Sequence, residues 1–409
     1  MATNPVSVSK LCFDQDTRRL LIDWDDGRRG IFPYIWLRHA QFFPLMGRSE
    51  QHDAQEFRLP EDATTLSIDT ATLEAETVVI QWAQDDSVTR HALLTLHDAC
   101  LSSDARQVRH HSPRLWLAQD ASRFHRFEAT DLEQPQRRLE LFNHLRDFGI
   151  ALISGLPVVA GTLESVARYF GPVRQTHFGS LFDIRSKPED RTGSGQNIGS
   201  TAANSQAPHS DETWRHGPPG INLFHCLRAH PAGEGASIFV DGIGAAQALR
   251  QEDPESFKLL ASIPLVFSAE RNAQERFSAR ATVIAIDGDG EIRGIRITDR
   301  TLPPLDLPLE LIEPAYRALG EFYRLLLSPQ RCFEYLLQPG ELVVFDNHRV
   351  LHGRRAFDPL AGERWLQQLS IDREEFQNRL RQLAEAQGRY DIAHWQQDGG
   401  ALSTPRGKL

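Results

Sequence analysis

Cysteine is scarce in this chain of 409 residues. The four present, Cys12, Cys100, Cys226 and Cys332, are scattered with no CxxC pair. That argues against a disulfide framework and against a structural zinc knuckle, and points to a reducing, cytoplasmic setting. Long apolar runs are also lacking. The most apolar stretch, residues 149–161 (GIALISGLPVVAG), is too short to cross a bilayer and contains Pro157. The amino terminus, MATNPVSVSK, has no apolar centre of an export signal, so neither export nor a membrane anchor is expected. No internal repeat is visible. The formal net charge is −10, without the basic face that a nucleic-acid binder needs. What is present, 40% hydrophobic and 24% charged residues, is the usual soluble globular mix, and with no basic face an enzyme acting on small molecules is the better-fitting expectation.

At roughly 100–200 residues per domain, the length suggests two or three domains, or one large and one small. Residues 1–102 read as a small β-rich domain. Residues 18–24 (RRLLIDW) and 76–82 (ETVVIQW) have the β-branched and aromatic content of strands, and Trp24, Trp36 and Trp82 are its expected core. Residues 91–100 read as a short helix. Residues 103–135 are polar and read as a linker. From 136 the texture changes. Leu139, Phe142, Leu145 and Phe148 recur at helical spacing, and the strand 150–154 follows. Short extended segments then alternate with helices at 163–170, 243–251, 254–262, 308–327 and 373–387. The expectation is an α+β, mostly β, fold in which helices buttress a β-sandwich over residues 136–393, with a loosely ordered tail at 394–409.

The strongest local chemical signal is Pro208-His209-Ser210-Asp211. In an extended segment, side chains two apart point to the same side. One imidazole and one carboxylate are then two ligands of a two-histidine, one-carboxylate site, the set that suits non-haem Fe(II) with open positions. An HxD alone is also found in ordinary loops. A third ligand must come from elsewhere, and residues 341–355 (ELVVFDNHRVLHGRR) offer His348 and His352. Arg364, at the start of the last predicted strand, has the forked donor geometry that clamps a carboxylate; an ordinary strand-end ion pair is the bland alternative. Residues 109–111, His216 and His230 read as linker or turn residues, and Cys226 as a small buried side chain.

These segments carry a family resemblance. Residues 136–390 resemble the Fe(II)/2-oxoglutarate dioxygenases of the taurine dioxygenase superfamily, in the branch of the γ-butyrobetaine and trimethyllysine hydroxylases. The matching stretches are 178–185 (FGSLFDIR), Asn197-Ile198, His209-Ser210-Asp211, 218–227 (PPGINLFHCL), 239–242 (FVDG) and 345–354 (FDNHRVLHGR). Residues 32–38 (FPYIWLR) resemble the small β domain that precedes the catalytic domain in that branch. The resemblance implies a double-stranded β-helix, or jelly-roll, catalytic domain and a homodimer. It implies His209, Asp211 and His352 as iron ligands, with His348 outside the set. Arg364 would bind the distal carboxylate of 2-oxoglutarate, Asn197 would lie near the co-substrate, and Phe224 would line its pocket. Dioxygen and a small-molecule substrate complete the expected partners, with succinate and CO2 as products. Asp211 argues against halogenation, which needs that carboxylate replaced by a small residue.

Three departures bear on the reading. The cysteines that bind structural zinc after the WLR segment are replaced by residues 39–46 (HAQFFPLM), so no structural zinc is expected. Phe178 and Phe182 stand where aromatic residues enclose a trimethylammonium group, but Ser200 takes a place where Tyr is common, and Trp214 is the candidate replacement face. Thr298 and Asp299 replace asparagines that can hold a substrate carboxylate. An inward-facing Asp299 would favour a cationic or hydroxylated substrate end. The sequence reading is therefore a 2-oxoglutarate-dependent oxygenase hydroxylating an amine- or ammonium-bearing metabolite. The alternatives are a γ-butyrobetaine or trimethyllysine hydroxylase proper, a hydrolytic zinc or manganese enzyme, and a non-catalytic binding protein. The charge disfavours a nucleic-acid demethylase.

Overall fold

The computed structural model describes residues 7–40, 64–101, 111–176, 179–186, 204–270 and 276–389. Contacts divide these into two compact units, the first ending at His111 and the second starting at Ser112. The first holds two three-stranded antiparallel sheets. One is β1 (Val8–Asp14), β2 (Arg19–Trp24) and β3 (Arg29–Pro33), followed by α1 (Tyr34–Ala40). The other is β4 (Ile68–Glu74), β5 (Thr77–Trp82) and β6 (Val88–Ala92), followed by α2 (Leu93–Asp98). Leu20, Ile22 and Trp24 alternate inward on β2, as do Val78, Ile80 and Trp82 on β5, and together they form one core.

The second unit is mixed α/β and is built on two sheets. The larger comprises β7 (Arg126–Glu128), β8 (Ile150–Ser154), β9 (Phe182–Ser186), β11 (Ile221–Arg228), β18 (Leu342–Asp346) and β20 (Arg364–Ile371), in the order β7-β8-β18-β11-β20-β9. The smaller comprises β10 (Gln206–His209), β12 (Ser237–Asp241), β17 (Phe333–Tyr335) and β19 (Val350–Arg354), in the order β10-β19-β12-β17. Phe224, Phe345 and Leu366 from the first sheet meet Phe239 and Val350 from the second in a shared core. Helices α3 (Pro135–Phe148) and α4 (Thr162–Phe170) pack on β8 and β20, which is why β8 is apolar along both faces. A second core joins α5 (Gly242–Glu252), α6 (Pro254–Ser262) and α7 (Leu309–Leu326) to two hairpins, β13 (Leu265–Glu270) with β14 (Arg276–Ala281), and β15 (Ile284–Ile286) with β16 (Ile292–Ile295). Helix α8 (Arg373–Ala386) follows β20.

Local chemistry explains the main boundaries. Helix α3 starts on Pro135, whose missing N–H costs nothing at a first turn. It stops at Gly149, with φ 75°, where a Cβ would lie 2.8 Å from Arg349 Cδ. The next residue can then enter β8 directly.

The expected linker 103–135 is not one in its described part. Trp116 is buried, its backbone N–H donates to Asp241 Oδ2 (3.2 Å), and its indole donates to the Phe148 carbonyl (2.8 Å). Arg349, 2% exposed, pairs with Asp241 at 3.0 Å and also donates to the carbonyls of Asp147 and Arg114. Residues 114–116 are thus sewn to β12 and to the turn before β19. Polar composition suggested solvent; the polar atoms are spent on this buried pair instead. The tail 394–409, residues 102–110 and residues 41–63 lie outside the described residues. Among the described residues, no helix is long and apolar enough to cross a membrane.

His225 is fully buried on β11, and neither ring nitrogen has a hydrogen-bond partner among the described residues. Burial pulls its pKa from 6.5 to about 4. Above pH 6.5 the imidazole is neutral in both folded and unfolded chains. Between 6.5 and 4 only the unfolded chain takes up the proton, so folding weakens with acidification. Urea unfolding at pH 7 and pH 4.5 should show this residue accounting for a loss of roughly 2–3 kcal/mol, and His225→Leu should remove that part of the pH dependence.

Candidate metal centre and substrate cavity

Strand β10 lies at the edge of the smaller sheet, the place where Pro208 can sit without breaking a hydrogen-bond ladder. Its partner is β19, and the register sets His209 directly opposite His352. Gly353 permits the approach. A Cβ at that position would lie 2.5 Å from the Gln206 carbonyl oxygen and 3.0 Å from Pro208 N, closer than real Cβ atoms come. The two imidazole centroids are 4.4 Å apart.

Asp211 follows two residues after His209. Its Oδ1 lies 3.5 Å from His209 Nε2 and 3.6 Å from His352 Nε2. One potential ligand atom from each of the three residues lies within 4.8 Å of the others. The other carboxylate oxygen is already occupied. Asn222 Nδ2 and Gln368 Nε2 each donate to Oδ2 at 2.9 Å, and Ser370 Oγ donates to Asn222 Oδ1 at 2.7 Å. The Asp211 backbone is held as well: its N–H donates to Asn347 Oδ1 (2.8 Å), and Asn347 Nδ2 donates to the Asp211 carbonyl (3.3 Å). These bonds leave Oδ1 as the oxygen facing the histidines. His209 Nδ1 lies 3.0 Å from the Ala207 carbonyl, so Nδ1 carries the proton and Nε2 presents its lone pair toward Asp211.

The charge state suits a cation. Burial would raise the Asp211 carboxyl, but its contacts with His352, His209 and Gln368 reverse this and hold it well below the usual carboxylate range. Burial pulls His352 down to about 3 against the opposing pull of Asp211. Near neutral pH Asp211 is therefore a carboxylate and His352 a neutral imidazole, the ligand forms that metals need. His352 Nδ1 is buried without a hydrogen-bond partner among the described residues, and its ring sits between Phe224 (5.2 Å) and Phe345 (5.0 Å).

Two cavities meet at these residues. The smaller, about 110 Å³, is lined by Phe182, Phe224, Arg354 and Arg364 together with the triad. Both arginines are buried, and burial lowers each to about 10, which leaves them cationic. Arg364 has no acidic partner among the described residues. The larger cavity, about 380 Å³, is lined by Arg174, Phe182, Asp211, Glu212, Trp214 and Arg300, among others.

The expected site residues divide into three groups. His209, Asp211, His352, Arg364, Phe224 and Phe182 are brought together. Phe178, Asn197 and Ser200 lie outside the described residues, as do 41–46 of the segment where zinc ligands are missing. One expectation is corrected. Asp299 is exposed and lines neither cavity; Thr298 and Arg300, on either side of it in the bend after β16, line the larger one. Trp214 reaches the larger cavity but is 5% exposed, with the Arg215 guanidinium 4.7 Å from its centroid and the Phe277 ring at 4.8 Å. His348 stands apart from the triad, its Nε2 3.4 Å from the Pro218 carbonyl. The sequence reading missed Asn222, Gln368, Asn347 and Arg300. Asn222 was within reach, since it shares a strand face with Phe224 two residues on.

Comparison with known proteins agrees with this geometry. The pattern of the family described as taurine catabolism dioxygenase TauD, TfdA family matches residues 113–370. A γ-butyrobetaine dioxygenase of Pseudomonas sp. (strain AK-1) is 31% identical over 375 residues, covering 88% of this chain and 92% of that protein. A trimethyllysine dioxygenase of Meyerozyma guilliermondii is 25% identical over 410 residues, covering 92% and 96%. The crystal structure of AAD-2 in complex with Mn(II) and N-oxalylglycine superposes with a TM-score of 0.50 at 14% identity, over 60% of this chain and 94% of that one, a likeness of fold. The chain belongs to the TauD, TfdA family and is a 2-oxoglutarate-dependent dioxygenase.

Gly353→Ala should push β10 away from β19. Calorimetric titration with Mn(II) should show affinity falling about tenfold or more, with cooperative unfolding retained. Unchanged affinity would mean that the strand approach does not set the centre.

Proposed function

We infer that this protein oxidises an unactivated C–H bond of a small, amine-bearing metabolite, with Fe(II) held by His209, Asp211 and His352 and with 2-oxoglutarate as co-substrate. Hydroxylation is the outcome we assign. The observation that carries this reading is the pairing of a two-histidine, one-carboxylate centre with a small chamber holding two buried guanidiniums. Ferrous iron bound there with 2-oxoglutarate supplies the oxygen-activating chemistry that releases succinate and CO2 and oxidises the substrate carbon.

The protein's own contribution is positioning. Asn222 and Gln368 hold Oδ2 of Asp211, so one oxygen is left for the metal. The Ala207 carbonyl fixes the His209 tautomer. Arg364 would receive the distal carboxylate of the dicarboxylic acid, in a chamber where burial strengthens a charge-assisted bond. Phe224 walls that chamber and keeps water from it. Asn197 is assigned to the same region by resemblance, and Phe178, Phe182 and Ser200 to the substrate wall. The two-sheet core supports reading the fold as a double-stranded β-helix. The relatives named for γ-butyrobetaine and trimethyllysine support an amine-bearing substrate.

Purified protein should form succinate from 2-oxoglutarate only with Fe(II), and a panel of small amines, betaines and amino acids should stimulate it. Asp211→Ala should lose at least about 100-fold in turnover. Arg364→Gln should raise the KM for 2-oxoglutarate roughly 100-fold, the cost of a lost buried charge pair. Metal-dependent hydrolysis with no requirement for 2-oxoglutarate would contradict the reading.

A further inference from the structure

The HxD segment is fastened residue by residue to different elements. His209 lies in the ladder between β10 and β19. Ser210 is buried and sewn to β16 and the residues after it. Its N–H donates to the Ile297 carbonyl (2.8 Å) and its Oγ to the Ile295 carbonyl (3.0 Å). Asp211 is held at its backbone by the side chain of Asn347, which is 1% exposed. That amide can sit only one way round. Its oxygen accepts from the Asp211 N–H at 2.8 Å, and its nitrogen faces two carbonyl oxygens, of Asp211 at 3.3 Å and of Pro219 at 3.0 Å. The residue after Asp211 is strained. Glu212 has φ 49°, in the left-handed region where a Cβ crowds the backbone. Among the described residues of the second unit, no other residue except glycine has a positive φ. Asn347 itself stands on firm ground. It lies in the short turn between β18 and β19, and buried ion pairs hold both ends of that turn: Asp346 with Arg373 at 2.9 Å, and Arg349 with Asp241. Its own N–H donates to the Gly220 carbonyl (2.8 Å).

We propose that Asn347 is a positioning residue for the metal centre: its amide clamps the Asp211 backbone against the strained turn at Glu212 and so keeps the Asp211 carboxylate aimed at the two imidazoles. This rests on the functional reading above and deepens it, by naming what sets the direction of the carboxylate ligand. Asn347 acts through Asp211, since its bonds go to the backbone of that residue. Asn222 and Gln368 hold the far oxygen of the carboxylate, but they do not hold the backbone that carries it. Without the clamp, Glu212 relaxes toward negative φ. The rotation is passed to Asp211 through the rigid peptide plane between them. The two ion pairs make the clamp stiff, because moving either end of its turn uncovers unpaired charge. An aspartate in place of Asn347 has the same shape and keeps the acceptor. Ionised, it sets an oxygen against two carbonyl oxygens and loses the hold.

The test titrates full-length protein with Mn(II) by calorimetry at pH 8, after urea unfolding of each variant. Asn347→Ala should weaken Mn(II) about tenfold or more, with cooperative unfolding retained. Asn347→Asp should weaken it as well, although added charge alone would do the opposite, since a further carboxylate near the centre attracts the cation. The link to Glu212 is read by comparing Glu212→Gly with Glu212→Ala. Both lose the same carboxylate, and they differ in tolerance of positive φ. With Asn347 in place, the two should bind Mn(II) within about twofold of each other; in the Asn347→Ala background, the glycine form should bind at least about threefold tighter than the alanine form. If Asn347→Ala does not fold, the Asn347→Asp background carries the same comparison. A role in folding alone does not produce that difference. If wild type fails to bind Mn(II), the functional reading fails and this proposal falls with it. If wild type binds, the functional reading stands and the proposal is overturned by any of the following: wild-type affinity in Asn347→Ala, unchanged or tighter binding in Asn347→Asp, or equal binding of the glycine and alanine forms without Asn347. Loss of cooperative unfolding in both Asn347 variants also overturns it, since Asn347 would then serve the fold and not the centre.

Discussion

Two strands approach so closely at Gly353 that no side chain can stand between them, and the organisation of the site follows from that contact. The register it sets puts His209 opposite His352. Both rings then lean toward the one carboxylate that the following turn supplies. Neither strand holds this position alone. Strand β19 is pinned at its start by Arg349, whose buried pairing with Asp241 and donation to two carbonyls fix the turn. Strand β10 is short, at an edge, and interrupted by a proline, so its position depends on the partner it lies against. A buried ion pair is a poor source of net stability, but it defines geometry, because any displacement leaves uncompensated charge.

Around this contact the site separates its tasks by side-chain chemistry. One oxygen of Asp211 is saturated by amide donors, and the other is left facing the imidazoles. On one side, two buried arginines make a small chamber suited to a dianion. On the other lies the larger cavity, which His209 and Asp211 also line. Under the proposed function, the smaller cavity would take 2-oxoglutarate and the larger the substrate, with the triad between them.

Much of this was legible in the sequence, for identifiable reasons. Period-two and period-3.6 patterns located β2, β5, α3 and α7, because each buries one regular face. The HxD pair was readable as two metal-ligand types close in sequence, although the strand ends at His209 and Asp211 comes from the turn that follows. The choice of His352 over His348 came with the family resemblance and agrees with the register. Three features were not legible. Strand β10 carries too little β-branched or apolar character to announce itself, since its partner strand defines it. The segment 112–135 looked like linker because its polar atoms serve a buried network invisible to composition. Asp299 and Arg300 are adjacent, and only the backbone tells which of two neighbours faces a cavity.

The most direct measurement is X-ray absorption of the protein loaded anaerobically with one equivalent of Fe(II), before and after 2-oxoglutarate. The account expects a single iron environment of nitrogen and oxygen donors with the multiple scattering of two imidazoles, and a change on adding 2-oxoglutarate that reports its chelation. An iron spectrum without imidazole scattering, or one unaltered by 2-oxoglutarate, would contradict it.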